Sequence, residues 1–173
     1  MSAATAVVAR QGFGEFSLDA VAERAGVTRN LLYHYFPRGR ADIVLATVAR
    51  AGEQLTQGWV NSETLSLSER LSANFSRIMD HAMAPTHAWR IHRMGRASLD
   101  PEVAAVVGRF VDVVISSIAL NHLHTRTPPP QVRLALRGFV AYTETVLEEA
   151  RQVGLPRGEL AGLLARTLTA TIS

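Results

Sequence analysis

Apolar residues recur at spacings of three and four along most of the chain, and strict alternation, the mark of a half-buried strand, is nearly absent. The pattern predicts an all-α protein of about nine helices separated by Gly, Pro, Ser and Asn punctuation. The first runs from about Ala3 to Gln11 and stops at Gly12 and Gly14. Ser17 caps a short second helix that ends near Ala25, with Asp19 placed against its N-terminal dipole. Gly26 breaks the chain, and Thr28 caps a third helix reaching Phe36, ended by Pro37 and Gly39. A longer helix from Asp42 to about Trp59 joins the two expected domains. Ser66 or Ser68 opens a fifth, to about Met83, and a sixth runs from about Thr86 to Ser98. Asp100 caps a seventh with Pro101 at its first position, reaching about His122. The stretch His124 to Pro130 reads as a loop, followed by helices from about Gln131 to Val153 and Arg157 to Thr171.

Residues 17 to 36 read SLDAVAERAGVTRNLLYHYF. Leu18, Val21, Ala22 and Ala25 form one apolar face of a two-turn helix. Gly26 stands where a sharp helix-to-helix turn requires positive φ. Two short helices joined in this way are a helix-turn-helix, whose second helix can enter a major groove. At ~100° per residue, Arg29, Asn30, Tyr33 and His34 share one face of that helix, while Leu31, Leu32, Tyr35 and Phe36 fall on the side expected to pack. Arginine can bind guanine bidentately and asparagine can do the same for adenine. Helix N-terminal amides, with Thr28 and Ser17, suit phosphate contacts.

Composition changes this picture only in part. The net charge of +3 is too small to indicate a nucleic-acid partner by itself. Its distribution is more informative, because Arg24, Arg29, Arg38, Arg40 and Arg50 face only one acid between them, Asp42. All basic residues are arginine, in keeping with a GC-rich coding bias. There is no cysteine, which excludes disulfides and thiolate metal sites and suits a cytoplasmic protein. No apolar run approaches the ~20 residues of a membrane span, and no signal-peptide pattern follows Met1, so no membrane partner is expected.

The run FSLDAVAERAGVTRNLLYHYFPRGRADI closely resembles the signature of the TetR/AcrR-type transcriptional repressors. The matching positions are Ser17, Ala25, Gly26, Val27, Thr28, Leu32, Tyr33, Tyr35 and Phe36, over roughly residues 6 to 50. The resemblance implies a helix-turn-helix DNA-binding domain over residues 1–41 and an effector-binding and dimerisation domain over 42–173. It implies that Arg29, Asn30, Tyr33 and His34 meet bases or backbone and that Ser17, Thr28 and Tyr35 meet phosphates. Arg40 best matches a phosphate-directed lysine common at the start of the fourth helix. The sequence departs from the family where Asn30 replaces a common glycine and where a basic arm often precedes the first helix.

Beyond residue 42, Leu55, Trp59, Phe75, Ile78, Met79, Trp89, Phe110, Val114 and Ser117 lie on helices that would surround a common interior. Two tryptophans and several methionines suit an adaptable apolar cavity, where the resemblance places an effector, and each of these residues equally fits plain core. His81 or His92 could hydrogen-bond such a ligand. The expected effector is a small apolar or aromatic molecule that releases the protein from its operator, with the helix from Asp42 to Trp59 as the lever. An activator would have the same sequence. His122 and His124, two apart on a helix, cannot share an ion, and His81, His87 and His92 lack the i, i+4 spacing of a ligand pair. No metal or other cofactor is expected, although a metal-responsive sensor is a weaker option.

A nucleophile elbow, phosphate loop or paired-carboxylate site is lacking, so the chain does not read as an enzyme. Glu144 and Glu148, near Arg151, read as a solvated charge network. One short recognition helix buries little DNA, so a homodimer reading two half-sites of double-stranded DNA is expected. Candidates for its interface are Leu134, Phe139, Val140 and Val146, with Leu160, Leu163, Leu164, Leu168 and Ile172. By resemblance this helix pair packs as a four-helix bundle, although the same side chains could close the monomer core. The alternative function is a helical small-molecule-binding protein without operator recognition.

Overall fold

The computed structural model describes residues 1–59 and 64–172. Among them the chain forms nine α-helices and no strand, as the apolar spacing predicts. They are α1 (Ser2–Glu15), α2 (Leu18–Ala25), α3 (Arg29–Tyr35), α4 (Arg40–Thr56), α5 (Leu67–Met83), α6 (His87–Arg96), α7 (Pro101–Leu123), α8 (Pro130–Val153) and α9 (Arg157–Ile172).

The ends of these helices follow from local chemistry. Ser17, Thr28, Ser66 and Thr86 each accept a hydrogen bond from a backbone N–H of the first turn, satisfying a donor that has no intrahelical partner. Ser66 and Glu69 form a reciprocal capping box, which settles the start of α5. Asp100 Oδ1 accepts from the N–H of Glu102 at 2.8 Å and of Val103 at 3.3 Å. Helix α1 leaves helical geometry at Gly12, where φ is 86°, then resumes for one turn to Glu15. Helix α4 begins at Arg40 rather than Asp42, because the Arg38 N–H donates to the Asp42 carboxylate at 2.9 Å and starts the helix earlier. It ends at Thr56 rather than Trp59, just before Gly58 at φ 74°. Pro130 opens α8 instead of closing the loop, since proline fits a first helical position.

The residues group into two compact units. The first comprises Met1–Leu55 with Pro85–Phe110. Here α1 packs against α6 and α2, and α2 against α3. Val7, Val8, Phe16, Leu18, Val21, Leu32, Ile43, Trp89 and Ile91 form its core. Each such large side chain contributes roughly 1.5–3 kcal/mol by leaving water. The second unit comprises Thr56–Ala84 with Val111–Ser173. In it α5 packs against α8 and α9, and α8 against α9, around Phe75, Met79, Ile115, Leu136, Leu147, Leu160, Leu164 and Leu168.

Four further sequence expectations are corrected. Ala25 is exposed, so the apolar face of α2 is Leu18, Val21 and Ala22. Leu31 is 41% and Tyr35 68% exposed, because a helix as short as α3 buries a single side chain, Leu32. Glu144 is buried rather than solvated, although Glu148 does pair with Arg151 at 2.5 Å. Helix α7 does have the length and apolarity of a membrane span. Arg109 and Asp112 interrupt the apolar run within it, and Asp112 is paired with Arg133 and Arg137 of α8. Such a helix also serves as the core of a water-soluble bundle.

Candidate nucleic-acid interface

The interface is built by the turn between α2 and α3. Gly26 closes α2 in the left-handed conformation, φ 64° and ψ 34°, with its N–H turned back to the carbonyls of Ala22 and Glu23. The Val27 N–H reaches the Ala22 carbonyl at 3.0 Å. A Cβ-bearing residue at Gly26 would carry the strain of positive φ. This closure directs the chain into Thr28, whose hydroxyl oxygen accepts from the Leu31 N–H at 3.3 Å and starts α3.

Leu32 alone anchors α3, so the helix presents nearly its whole surface. Thr28, Arg29, Asn30, Leu31, Tyr33, His34 and Tyr35 are all exposed. The structure therefore brings the four expected base-facing side chains, Arg29, Asn30, Tyr33 and His34, onto one accessible helix. The Arg29 guanidinium lies 5.9 Å from the centre of the Tyr33 ring. Its Nη1 donates to both carboxylate oxygens of Asp19 at 3.2 Å. Contact with Tyr33 first, then the Asp19 charge, holds the guanidinium more firmly protonated than usual. The His34 and Tyr35 rings meet edge to face at 5.3 Å.

Tyr33 packs over the loop after α3. A Cβ at Gly39, where φ is 60°, would lie 3.3 Å from the Tyr33 ring and 3.4 Å from Leu18, so the close approach depends on glycine. Around this contact Ser17, Leu18, Asp19, Arg29, Tyr33, Pro37, Arg38, Gly39 and Arg40 line an open groove of about 500 Å³. Three arginines line it, two of them paired with carboxylates, Arg29 with Asp19 and Arg38 with Asp42 and Glu102, and all three present N–H donors of the kind that meet phosphates. Ser17 Oγ accepts from the Ala20 N–H at 3.1 Å and so keeps its own O–H to donate outward, as does Thr28.

Sequence reasoning missed how these arginines are held. Arg38 pairs with Asp42 at 2.7 Å and with Glu102 at 2.9 Å, which lowers the Asp42 pKa through the Arg38 backbone and side-chain hydrogen bonds. Arg40 donates from Nη2 to the carbonyls of Phe13 and Gly14 at the end of α1, and its guanidinium lies 4.9 Å from the Phe16 ring centre. It is thus a clamp between α4 and the end of α1 as well as a groove cation. Asp42 stands four residues from Arg38, but nothing in the local sequence signals the partners at Glu102 and at the end of α1.

Residues 1–47 match the family model described as bacterial regulatory proteins, tetR family. The N-terminal part of the chain is therefore similar to the TetR family. A TetR-family transcriptional regulator from Streptomyces coelicolor superposes with a TM-score of 0.79 at 26% identity, over 98% of this chain and 77% of that one. A TetR transcriptional regulator from Rhodococcus sp. RHA1 gives 0.66 at 16%, over 99% and 91%. The Bacillus subtilis regulator FadR, solved with stearoyl-CoA, gives 0.67 at 18%, over 99% and 95%. The last two likenesses are of fold. No curated protein sequence matches the chain.

In this fold the expected effector-lining residues fall into both units. Leu55, Trp89, His92 and Phe110 belong to the first, where His92 lies 6.2 Å from Trp89 and 4.7 Å from Phe110, ring centre to ring centre. Leu55, Trp89 and His92 are buried there. Trp59, Phe75, Ile78, Met79, His81, Val114 and Ser117 belong to the second. Phe75, Met79 and Val114 are buried, and the others are partly covered. Burial pushes His81 below its usual pKa, with Asp80 opposing. Of the expected dimer residues, Phe139, Val140, Leu160, Leu164 and Leu168 are buried within the chain, Phe139 against Phe75 at 6.5 Å. Leu134 is 72% exposed, and Val146, Leu163 and Ile172 are partly exposed.

Proposed function

We propose that this chain is a cytoplasmic, non-enzymatic repressor of the TetR type that binds operator DNA as a homodimer and leaves it when a small apolar ligand binds. The observation that carries the reading is the exposure of Arg29, Asn30, Tyr33 and His34 on α3 beside a groove with three arginines. Arg29 and Asn30 supply base-edge recognition, and Ser17, Thr28, Tyr35 and Arg40 supply phosphate contacts. The division into a DNA-binding domain, 1–41, and an effector and dimerisation domain, 42–173, belongs to this proposal.

For the effector, the second unit offers an apolar interior with Phe75, Met79 and Val114 and buried polar atoms without hydrogen-bond partners at Trp59 Nε1, His122 Nε2 and Thr143 Oγ1. An apolar molecule with one polar group fits that chemistry. The acyl chain on the ligand of FadR is in keeping with it. A ligand changes DNA affinity only by the difference in its affinity for the two shapes, and a coupling of ~1–3 kcal/mol gives 5–150-fold release.

The deciding experiment is selection of bound sequences from random duplex DNA, followed by titration over a range of salt. A preferred sequence with affinity falling steeply in salt supports the reading. Absence of any salt-sensitive preference favours a helical ligand-binding protein without operator recognition.

A further inference from the structure

The groove beside the recognition helix contains one acid, and its position is unexpected for a surface that meets phosphates. Asp19 stands in the first turn of α2, Arg29 at the first position of α3, and the two are ten residues apart in sequence. The α2–α3 turn brings them together so that both Asp19 oxygens lie 3.2 Å from Arg29 Nη1. The side chains of Arg29 and Asp19 are 53% and 72% exposed, so the pair contributes little to folding stability. Asp19 also favours the N-terminal dipole of α2, but that role would be met without a partner, whereas here the carboxylate is paired with the exposed Arg29 of α3.

We propose that Asp19 is a positioning residue for sequence discrimination: it aims Arg29 across Tyr33 toward a base edge and makes the groove unfavourable to phosphates when that base contact is absent. The proposal rests on the DNA-binding reading above. Two physical effects combine in it. An arginine side chain loses several rotatable bonds' worth of freedom when it docks, and a partner that restrains it beforehand reduces that loss. Asp19 restrains one nitrogen, the Tyr33 ring restrains the face, and the remaining N–H donors of the guanidinium stay available for a bidentate contact with a guanine. On a non-cognate duplex Arg29 finds no base partner, while the Asp19 carboxylate still faces the backbone charge. Asp19 therefore weakens non-specific binding more than specific binding.

The test compares wild type with Asp19→Asn, Asp19→Glu and Arg29→Ala on a selected duplex and on a scrambled one of the same composition. Asp19→Asn is expected to tighten binding to the scrambled duplex and to steepen the salt dependence by roughly one phosphate's worth of slope. The ratio of selected to scrambled affinity should fall about tenfold, which corresponds to ~1.4 kcal/mol. Asp19→Glu should retain most of that ratio, and Asp19→Asn should change it no further once Arg29 is alanine. A lowered Tm for Asp19→Asn with an unchanged ratio would reduce Asp19 to a helix-dipole residue and overturn the proposal. If wild type prefers no duplex at all, the DNA-binding reading fails first, and the inference fails with it.

Discussion

Arg29 and Asn30 illustrate how much depends on single side chains at the start of α3. Both are exposed, and only Arg29 is restrained, by Asp19 and Tyr33. Replacing either with alanine should cost ~1–3 kcal/mol of affinity at one operator position and relax the preference there. Selection repeated with each variant checks this, and an unchanged preferred sequence would contradict it. At the same scale, His122 gives a prediction about acid stability. Burial first, then the Arg70 charge, lowers its pKa below the usual 6.5. The unfolded chain therefore takes up a proton at higher pH than the folded one. The stability that neutral His122 confers is complete above pH 6.5 and is lost as pH falls through the lower folded value, and His81 adds to the same limb. Urea unfolding of His122→Asn between pH 8 and pH 5 should show a shallower loss than wild type.

Helices α6 and α7 approach each other through Gly95. A Cβ there would lie 2.9 Å from Val107 Cγ2 and 3.5 Å from Val48 Cγ1. Alanine would favour the helix by ~1 kcal/mol. The clash opposes it, because Val107 is buried and β-branched, with little rotamer freedom to yield. Overpacking costs ~1–3 kcal/mol, so Gly95→Ala should lower Tm although it improves helix propensity. An equal or higher Tm would show that Val107 shifts freely. Hydrophobic spacing could not disclose this site, since glycine inside α6 reads only as a weak helix position.

For the whole molecule, assembly is the property that determines whether two recognition helices can reach one DNA turn, roughly 34–36 Å apart. Much of the apolar stripe expected to pair two copies is spent inside the chain, as Leu160, Leu164, Leu168 and Phe139 are buried. Leu134 remains outward at 72% exposure. Leu134→Glu should therefore leave the fold and its Tm nearly unchanged while shifting sedimentation toward a monomer and weakening operator binding. A dimer unaffected by this change would move the interface away from the start of α8.

The local sequence by itself determined the helices, most of their caps and the resemblance of the N-terminal segment to the TetR family. Those features depend on neighbours within a few residues: the Ser17 and Thr28 hydroxyls, the positive φ of Gly26, and the spacing of Leu18, Val21 and Ala22. The exposure of Arg29, Asn30, Tyr33 and His34 was legible for the same reason, since helix periodicity fixes which side chains share a face. Only the tertiary structure decided that Leu31 and Tyr35 are exposed, that Glu144 is buried, and that Phe139 packs against Phe75. It also decided that Asp19 meets Arg29, that Arg38 meets Glu102, and that Arg40 clamps the end of α1. Such pairings depend on which helix faces the chain returns to after tens of residues, and periodicity carries no record of the partner.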